Sequence, residues 1–213
     1  MNIDVVVFDH SGTISDDFSI VHASANNILR IFGRPRVSEA QYRADFDKDI
    51  AMTYKKWGVD ASLDELNRIH ESFLRLHRPQ PILFAAETVR LVRRMVRKIV
   101  SFSAHPESEV RKDLRELEIY GYFDAIYGGV RKHLDADFER MMKETNARKE
   151  TTLYVGDTTV DIELAKRNFV KCVAVVNPKY CYQDPKIVRA FLPPADFYIN
   201  DISGLVGILK NSA

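Results

Sequence analysis

Strand-length apolar runs recur along this chain with helical stretches between them, and that alternation constrains the fold more than any other feature. IDVVVF (3–8), IVSFS (99–103), DAIYGG (124–129), TLYVG (152–156) and CVAVV (172–176) are rich in Val, Ile, Tyr and Phe, and ADFYIN (195–200) is a weaker sixth. Runs that are apolar at nearly every position suit strands covered on both faces, as in parallel sheets. Segments of helical periodicity lie between or after them at about 106–118, 135–147, 158–168 and 201–210. The expected fold is α/β: a doubly wound, Rossmann-like parallel sheet whose ligands sit beyond the carboxyl ends of the strands.

One interval breaks the alternation. Residues 16–83 contain no convincing strand but several amphipathic stretches. SIVHASANNILRIFG ends at Gly33 with Pro35 beyond it, and SEAQYRADFDKDIAMTYKKWG ends at Gly58, both helix stops. SLDELNRIHESFLRLH opens with Ser62-x-x-Glu65, a capping pattern, and RPQP (78–81) punctuates the return. The expected organisation is a core of residues 1–15 and 84–213 with a helical cap, 16–83, inserted after the first strand. Such an insertion leaves the sheet where ligands bind and is read as a lid. It carries Tyr42, Arg43, Tyr54, Trp57 and Arg75 as candidate specificity residues.

Charge is nearly balanced, with 31 basic against 30 acidic residues, so no single-sign field argues for nucleic acid or an anionic membrane as partner. The basic stretch TVRLVRRMVRKI (88–99) reads as the solvated side of an amphipathic helix. The first apolar run is too short for a signal peptide or a membrane span, and Cys172 and Cys181 form no framework, which makes the cytoplasm the expected location. No feature of the sequence specifies an oligomeric state.

The chemistry concentrates at strand ends. The first run leads into Asp9-His10-Ser11-Gly12-Thr13, and the fourth into Gly156-Asp157-Thr158-Thr159-Val160-Asp161. Each has a plain structural reading: Asp-x-Ser-Gly is a turn, and Thr158-x-x-Asp161 is a capping box. In a parallel sheet, however, Asp9 and Asp157 emerge on the same edge, with Asp161 one helical turn later. Clustered carboxylates repel unless a cation or proton neutralises them, and hard oxygen ligands suit Mg2+. Ser103, at the end of the second core strand, can offer a hydroxyl and nearby amides to phosphate oxygens, or cap the helix after Pro106. Lys132, with Arg131 as competitor, follows the third strand and could neutralise a phosphoryl group or lie on the surface.

Together these segments resemble the four ordered motifs of the haloacid dehalogenase superfamily. VVVFDHSGTI matches the opening Asp-x-Asp-Gly-Thr, VSFSAHP the strand ending in Ser or Thr, VRKHLDADF the Lys before a helix, and GDTTVD the Gly-Asp-x-x-x-Asp. The resemblance implies a Mg2+-dependent hydrolase of a phosphorylated small molecule, phosphoglycolate phosphatase-like, working through an aspartyl-phosphate intermediate. It makes Asp9 the nucleophile and assigns the metal to Asp9, the backbone carbonyl of Ser11, Asp157 and Asp161. Ser103, Ala104, Gly12 and Thr13 would contact the phosphoryl group, with Lys132 orienting it.

The departure is at Ser11. Phosphatases of the family carry a second Asp there as general acid and base, and losing a positioned acid/base costs about 10²–10⁴-fold in rate. Ser11→Asp is therefore expected to raise turnover of alkyl phosphates, and His10 and His105 are candidates for the missing donor. Two other readings stand beside the phosphatase: a degenerate member that binds a phosphorylated metabolite or partner, and a phosphonoacetaldehyde hydrolase-like enzyme cleaving a C–P bond. The latter needs a cap lysine, and Lys48, Lys55 and Lys56 are available.

Overall fold

A computed structural model describes residues 2–47, 49–74 and 80–211. Lys48, Arg75 and the first two residues of RPQP lie outside the described residues. The chain runs β1 (Val5–Phe8), β2 (Ser15–Asp16), α1 (Phe18–Ile31), α2 (Glu39–Asp45), α3 (Ile50–Lys56), α4 (Leu63–Leu74) and β3 (Gln80–Pro81). It continues through α5 (Ala85–Arg93), β4 (Lys98–Phe102), α6 (Glu107–Glu116), β5 (Ala125–Tyr127), α7 (Ala136–Glu144) and β6 (Thr152–Gly156). Then follow α8 (Thr159–Arg167), β7 (Lys171–Val175), α9 (Pro185–Ala190), β8 (Phe197–Ile199) and α10 (Gly204–Lys210).

Six of these strands form one parallel sheet in the order β5-β4-β1-β6-β7-β8. This is the doubly wound α/β fold. All six apolar runs are strands, because each sends neighbouring residues into opposite hydrophobic layers. Val6 and Phe8 pack with Val89, Val92, Leu114 and Leu205 on one face. Val5 and Val7 pack with Phe138, Met141, Ile162 and Leu164 on the other. Strand order reverses beside β1, the place at which sheets of this kind bind ligands, outside the carboxyl ends of β1 and β6. Phe8 pairs with Val155, so Asp9 and Asp157 leave the sheet almost level.

The helices α1–α4 bury a third hydrophobic cluster, in which Phe18, Val21, Ala25, Ile28 and Leu29 of α1 meet Tyr42, Tyr54, Trp57 and Leu66. Their spacing in α1 is the apolar stripe of an amphipathic helix. Gly33 ends that helix with a positive φ of 64°, and Arg34 N–H returns to the Leu29 carbonyl at 2.7 Å. Two expectations need correction. The stretch 38–58 is not one helix: Phe46 adopts φ −50°, ψ 127°, and Asp49 then accepts the Ala51 amide as a new N-cap. The side chains of Asp47 and Asp49 compete with the helical ladder for backbone amides, accepting those of Asp49 and Ala51. The stretch 88–99 is not helical throughout: α5 stops at Arg93, and Lys98 is drawn into the sheet opposite Val5. A two-residue antiparallel pair, β2 with β3, closes the neck where the helices leave and rejoin the core. No helix among the described residues is long and apolar enough to cross a membrane.

Candidate active site

The crevice at the end of β1 gathers four ionisable side chains from three separate segments. Asp9, Asp157 and Asp161 are buried, and one oxygen of each lies within 4.8 Å of the others. Lys132 Nζ sits 2.6 Å from Asp9 Oδ1 and 2.8 Å from Asp161 Oδ1. The sheet delivers Asp9 and Asp157, and the first turn of α8 delivers Asp161. Lys132 arrives on the loop after β5, held close to the sheet edge by Gly128. A Cβ at Gly128 would lie 2.3 Å from the Glu107 backbone, so only glycine admits this approach of the loop to α6. Val130 N–H donates to the Ser103 carbonyl, joining that loop to the end of β4.

Each carboxylate is held differently. Asp161 Oδ2 accepts both the Thr158 amide (3.0 Å) and its hydroxyl (2.7 Å), and Oδ1 accepts Tyr154 OH (3.1 Å) as well as Lys132. Burial pushes its pKa up, but Lys132 and Thr158 outweigh that and hold it below the ordinary range. Asp161 thus serves the helix cap and the cluster together. Asp9 is pushed up to about 6 by burial, against the pull of Lys132. Burial and then the charges of Asp9 and Asp161 raise Asp157 well above the usual carboxyl value. Asp157 Oδ2 accepts Tyr182 N–H at 2.6 Å, while Oδ1 is buried with no hydrogen-bond partner among the described residues.

Three carboxylates facing one ammonium leave an excess of two negative charges when all are ionised. A buried excess of this size needs protons or a divalent cation. The unpartnered Asp157 Oδ1 and the hard oxygen donors fit such an ion. Gly12, at φ 71°, packs against the same carboxylate, and a Cβ there would fall 2.4 Å from Asp157 Oδ2.

The remaining expected residues lie around this cluster. Ser11 Oγ donates to Asp17 Oδ2 at 2.7 Å. Ser103 is buried, and its Oγ accepts the His105 amide at 3.2 Å, whereas the N-cap of α6 is Pro106. Ala104 is exposed, and Thr13 is buried with its hydroxyl unpartnered. Arg131 is exposed, so Lys132 is the basic residue of this loop that enters the crevice. His10 turns away: its Nε2 lies 3.0 Å from Asp113 Oδ2. His105 Nε2 lies 3.7 Å from Asp17 Oδ2 and faces His70 of α4 at 6.0 Å between ring centroids. Burial lowers both His105 and His70 to about 4. Lys55 and Lys56 are exposed, and Lys56 is paired with Asp47.

Asp17 and Tyr182 escaped the reading of motifs. Asp17 is buried at the start of α1, raised by desolvation, and takes the Ser11 hydroxyl on one oxygen and Tyr182 OH (2.7 Å) on the other. Its one sequence signal is an acidic pair, Asp16-Asp17, where the insertion begins after the first motif. Tyr182 had none, since it lies on a loop far from any motif.

The model of the family described as haloacid dehalogenase-like hydrolase matches residues 6–175, most of the chain. The chain belongs to that family. Phosphoglycolate phosphatase of Pseudomonas syringae pv. syringae (strain B728a) is 26% identical over 188 residues, covering 80% of this chain and 68% of the relative. The fold is shared with a haloacid dehalogenase-like family hydrolase from Streptococcus pneumoniae: TM-score 0.81, 15% identity, 97% of this chain and 98% of that one. A haloacid dehalogenase-like protein from Bacteroides fragilis superposes with TM-score 0.84 at 18% identity, covering 96% and 100%. For a haloacid dehalogenase-like hydrolase, the carboxylate cluster is the candidate catalytic centre.

Proposed function

We propose that this hydrolase is a Mg2+-dependent phosphatase acting on phosphorylated small molecules through Asp9, beneath a cap formed by residues 16–83. One observation carries the reading: of three clustered buried carboxylates two share Lys132, and Asp157 Oδ1 has no hydrogen-bond partner among the described residues. Asp9, the Ser11 carbonyl, Asp157 and Asp161 would hold Mg2+, which would supply positive charge to offset the negative charge of the carboxylates and the phosphoryl group. The Asp9 carboxylate attacks phosphorus, and the P–O bond to the leaving group breaks as an aspartyl phosphate forms. Lys132 balances charge on Asp9 and the phosphoryl oxygens, while Ser103, Ala104, Gly12 and Thr13 cradle those oxygens. Water then attacks phosphorus, the bond to the Asp9 oxygen breaks, and inorganic phosphate leaves as the carboxylate is restored.

Ser11 supplies no carboxyl for the leaving group. Its hydroxyl hydrogen is committed to Asp17, so toward the crevice its oxygen can only accept. The chemistry therefore favours good leaving groups, aryl and acyl phosphates. Hydrolysis of p-nitrophenyl phosphate should require Mg2+ and disappear in EDTA. Mg2+-independent turnover would reject the metal assignment, and binding of phosphorylated compounds without turnover would favour a degenerate binder. The Lys56–Asp47 pair and the exposure of Lys55 speak against Schiff-base C–P cleavage by either residue.

The neighbourhood of Ser11 also alters the expectation for Ser11→Asp. Alone, it sets a second carboxylate against buried Asp17 and is expected to gain little. Ser11→Asp with Asp17→Asn removes that repulsion, and kcat on an alkyl phosphate should rise about 10²-fold. Equal rates for the single and double variants would discard this account.

A further inference from the structure

The loop between β7 and α9 links the helical cap to the carboxylate cluster. At its root, Tyr182 N–H fixes Asp157 Oδ2 at 2.6 Å, and Gln183 Oε1 accepts the Thr159 amide at 2.9 Å. The loop therefore grips the Gly-Asp-x-x-x-Asp segment at two points. Its side chains belong elsewhere. The Tyr182 ring is buried in the cap's own hydrophobic cluster, 5.5 Å from Phe18, 6.3 Å from Phe46 and 6.5 Å from Tyr42 between centroids. Its hydroxyl ends on Asp17, at the base of α1.

Arg43 of α2 completes the connection. Its Nε donates to the Cys181 carbonyl at 2.9 Å and a terminal nitrogen to the Lys179 carbonyl at 3.4 Å. Its guanidinium lies 3.6 Å from the centroid of the Phe18 ring, and its side chain is largely buried. A cap arginine thus holds the backbone beside Tyr182, whose amide aims Asp157.

We infer that Arg43 and Tyr182 are positioning residues through which docking of the cap preorganises Asp157 for its cation. The inference rests on the reading of Asp157 as a metal ligand. Groups that orient a ligand typically alter metal affinity by about 10–100-fold when removed. Binding free energies are reciprocal, so the ion must also favour the docked cap.

The test is Mn2+ binding, titrated by electron paramagnetic resonance on the full chain. Arg43→Met keeps an apolar stem against Phe18, and Tyr182→Phe keeps the ring. Each is expected to weaken Mn2+ binding by about 10-fold, at the lower end of that range. Arg36→Met, an exposed cap position, should bind within twofold of the unaltered protein. Unaltered affinity in both folded variants overturns the inference alone. No Mn2+ binding by the unaltered protein overturns the metal reading beneath it. If the variants do not fold, hydrogen exchange on the unaltered protein decides: Mg2+ should slow exchange in α2, and equal exchange with and without Mg2+ overturns the coupling.

Discussion

Asp9→Asn is expected to abolish hydrolysis of p-nitrophenyl phosphate, lowering kcat at least about 10⁴-fold. An amide keeps the shape of the side chain and the contact with the β1 turn, but its oxygen is too weak a nucleophile for phosphorus. Lys132 retains Asp161, 2.8 Å away, so the crevice should hold its arrangement. Mass spectrometry of the unaltered protein quenched during turnover should find one covalent phosphate, absent from the variant. A variant within tenfold of the unaltered rate would mean that Asp9 is not the attacking group.

The second large effect concerns stability as well as rate. Burial works against the charge of Lys132, yet Asp161 and Asp9 hold its ammonium above an ordinary lysine. In Lys132→Met the cluster loses the ammonium that pairs with Asp9 and Asp161. Removing one partner of a buried ion pair costs about 3–5 kcal/mol. For a chain of this size that is roughly a 10 °C fall in Tm, measured in EDTA at pH 8. The sign with pH follows from the carboxylates. Asp9 and Asp157 have folded pKa values above their unfolded ones, so their ionisation opposes folding at high pH, and protonation relieves it. Without the pull of Lys132, Asp9 takes up its proton above its value of about 6 in the unaltered protein, so the deficit of Lys132→Met should shrink as pH falls from 8 towards 6, and Mg2+ should recover part of it at pH 8. A deficit independent of both pH and Mg2+ would show lost packing instead of unbalanced charge.

The sheet was legible because both of its faces are buried, which writes each strand as an unbroken apolar run. The same logic explains the omissions. β2 and β3 are two residues each, one of them containing Pro81, and carry no periodicity. α9 spans six residues, too short for a helical pattern to emerge, although Asp184 and Pro185 mark its start. At the site, Asp9, Asp157 and Asp161 could be placed together because strand ends and one helical turn fix them locally. Lys132 needed the loop after β5 to fold back before it could be told from Arg131. Asp17 and Tyr182 depend on contacts 165 residues apart, for which no local pattern exists.

The hydrophobic centre of the helical insertion is not made by the insertion alone, because Tyr182 enters it from the far side of the sequence. The segment α1–α4 is consequently poor material for transplantation. A relative's insertion grafted onto this core would meet a foreign tyrosine in its interior, and this one moved elsewhere would arrive with a hole. Recombination within the family has to exchange the insertion and the loop around residue 182 as one unit.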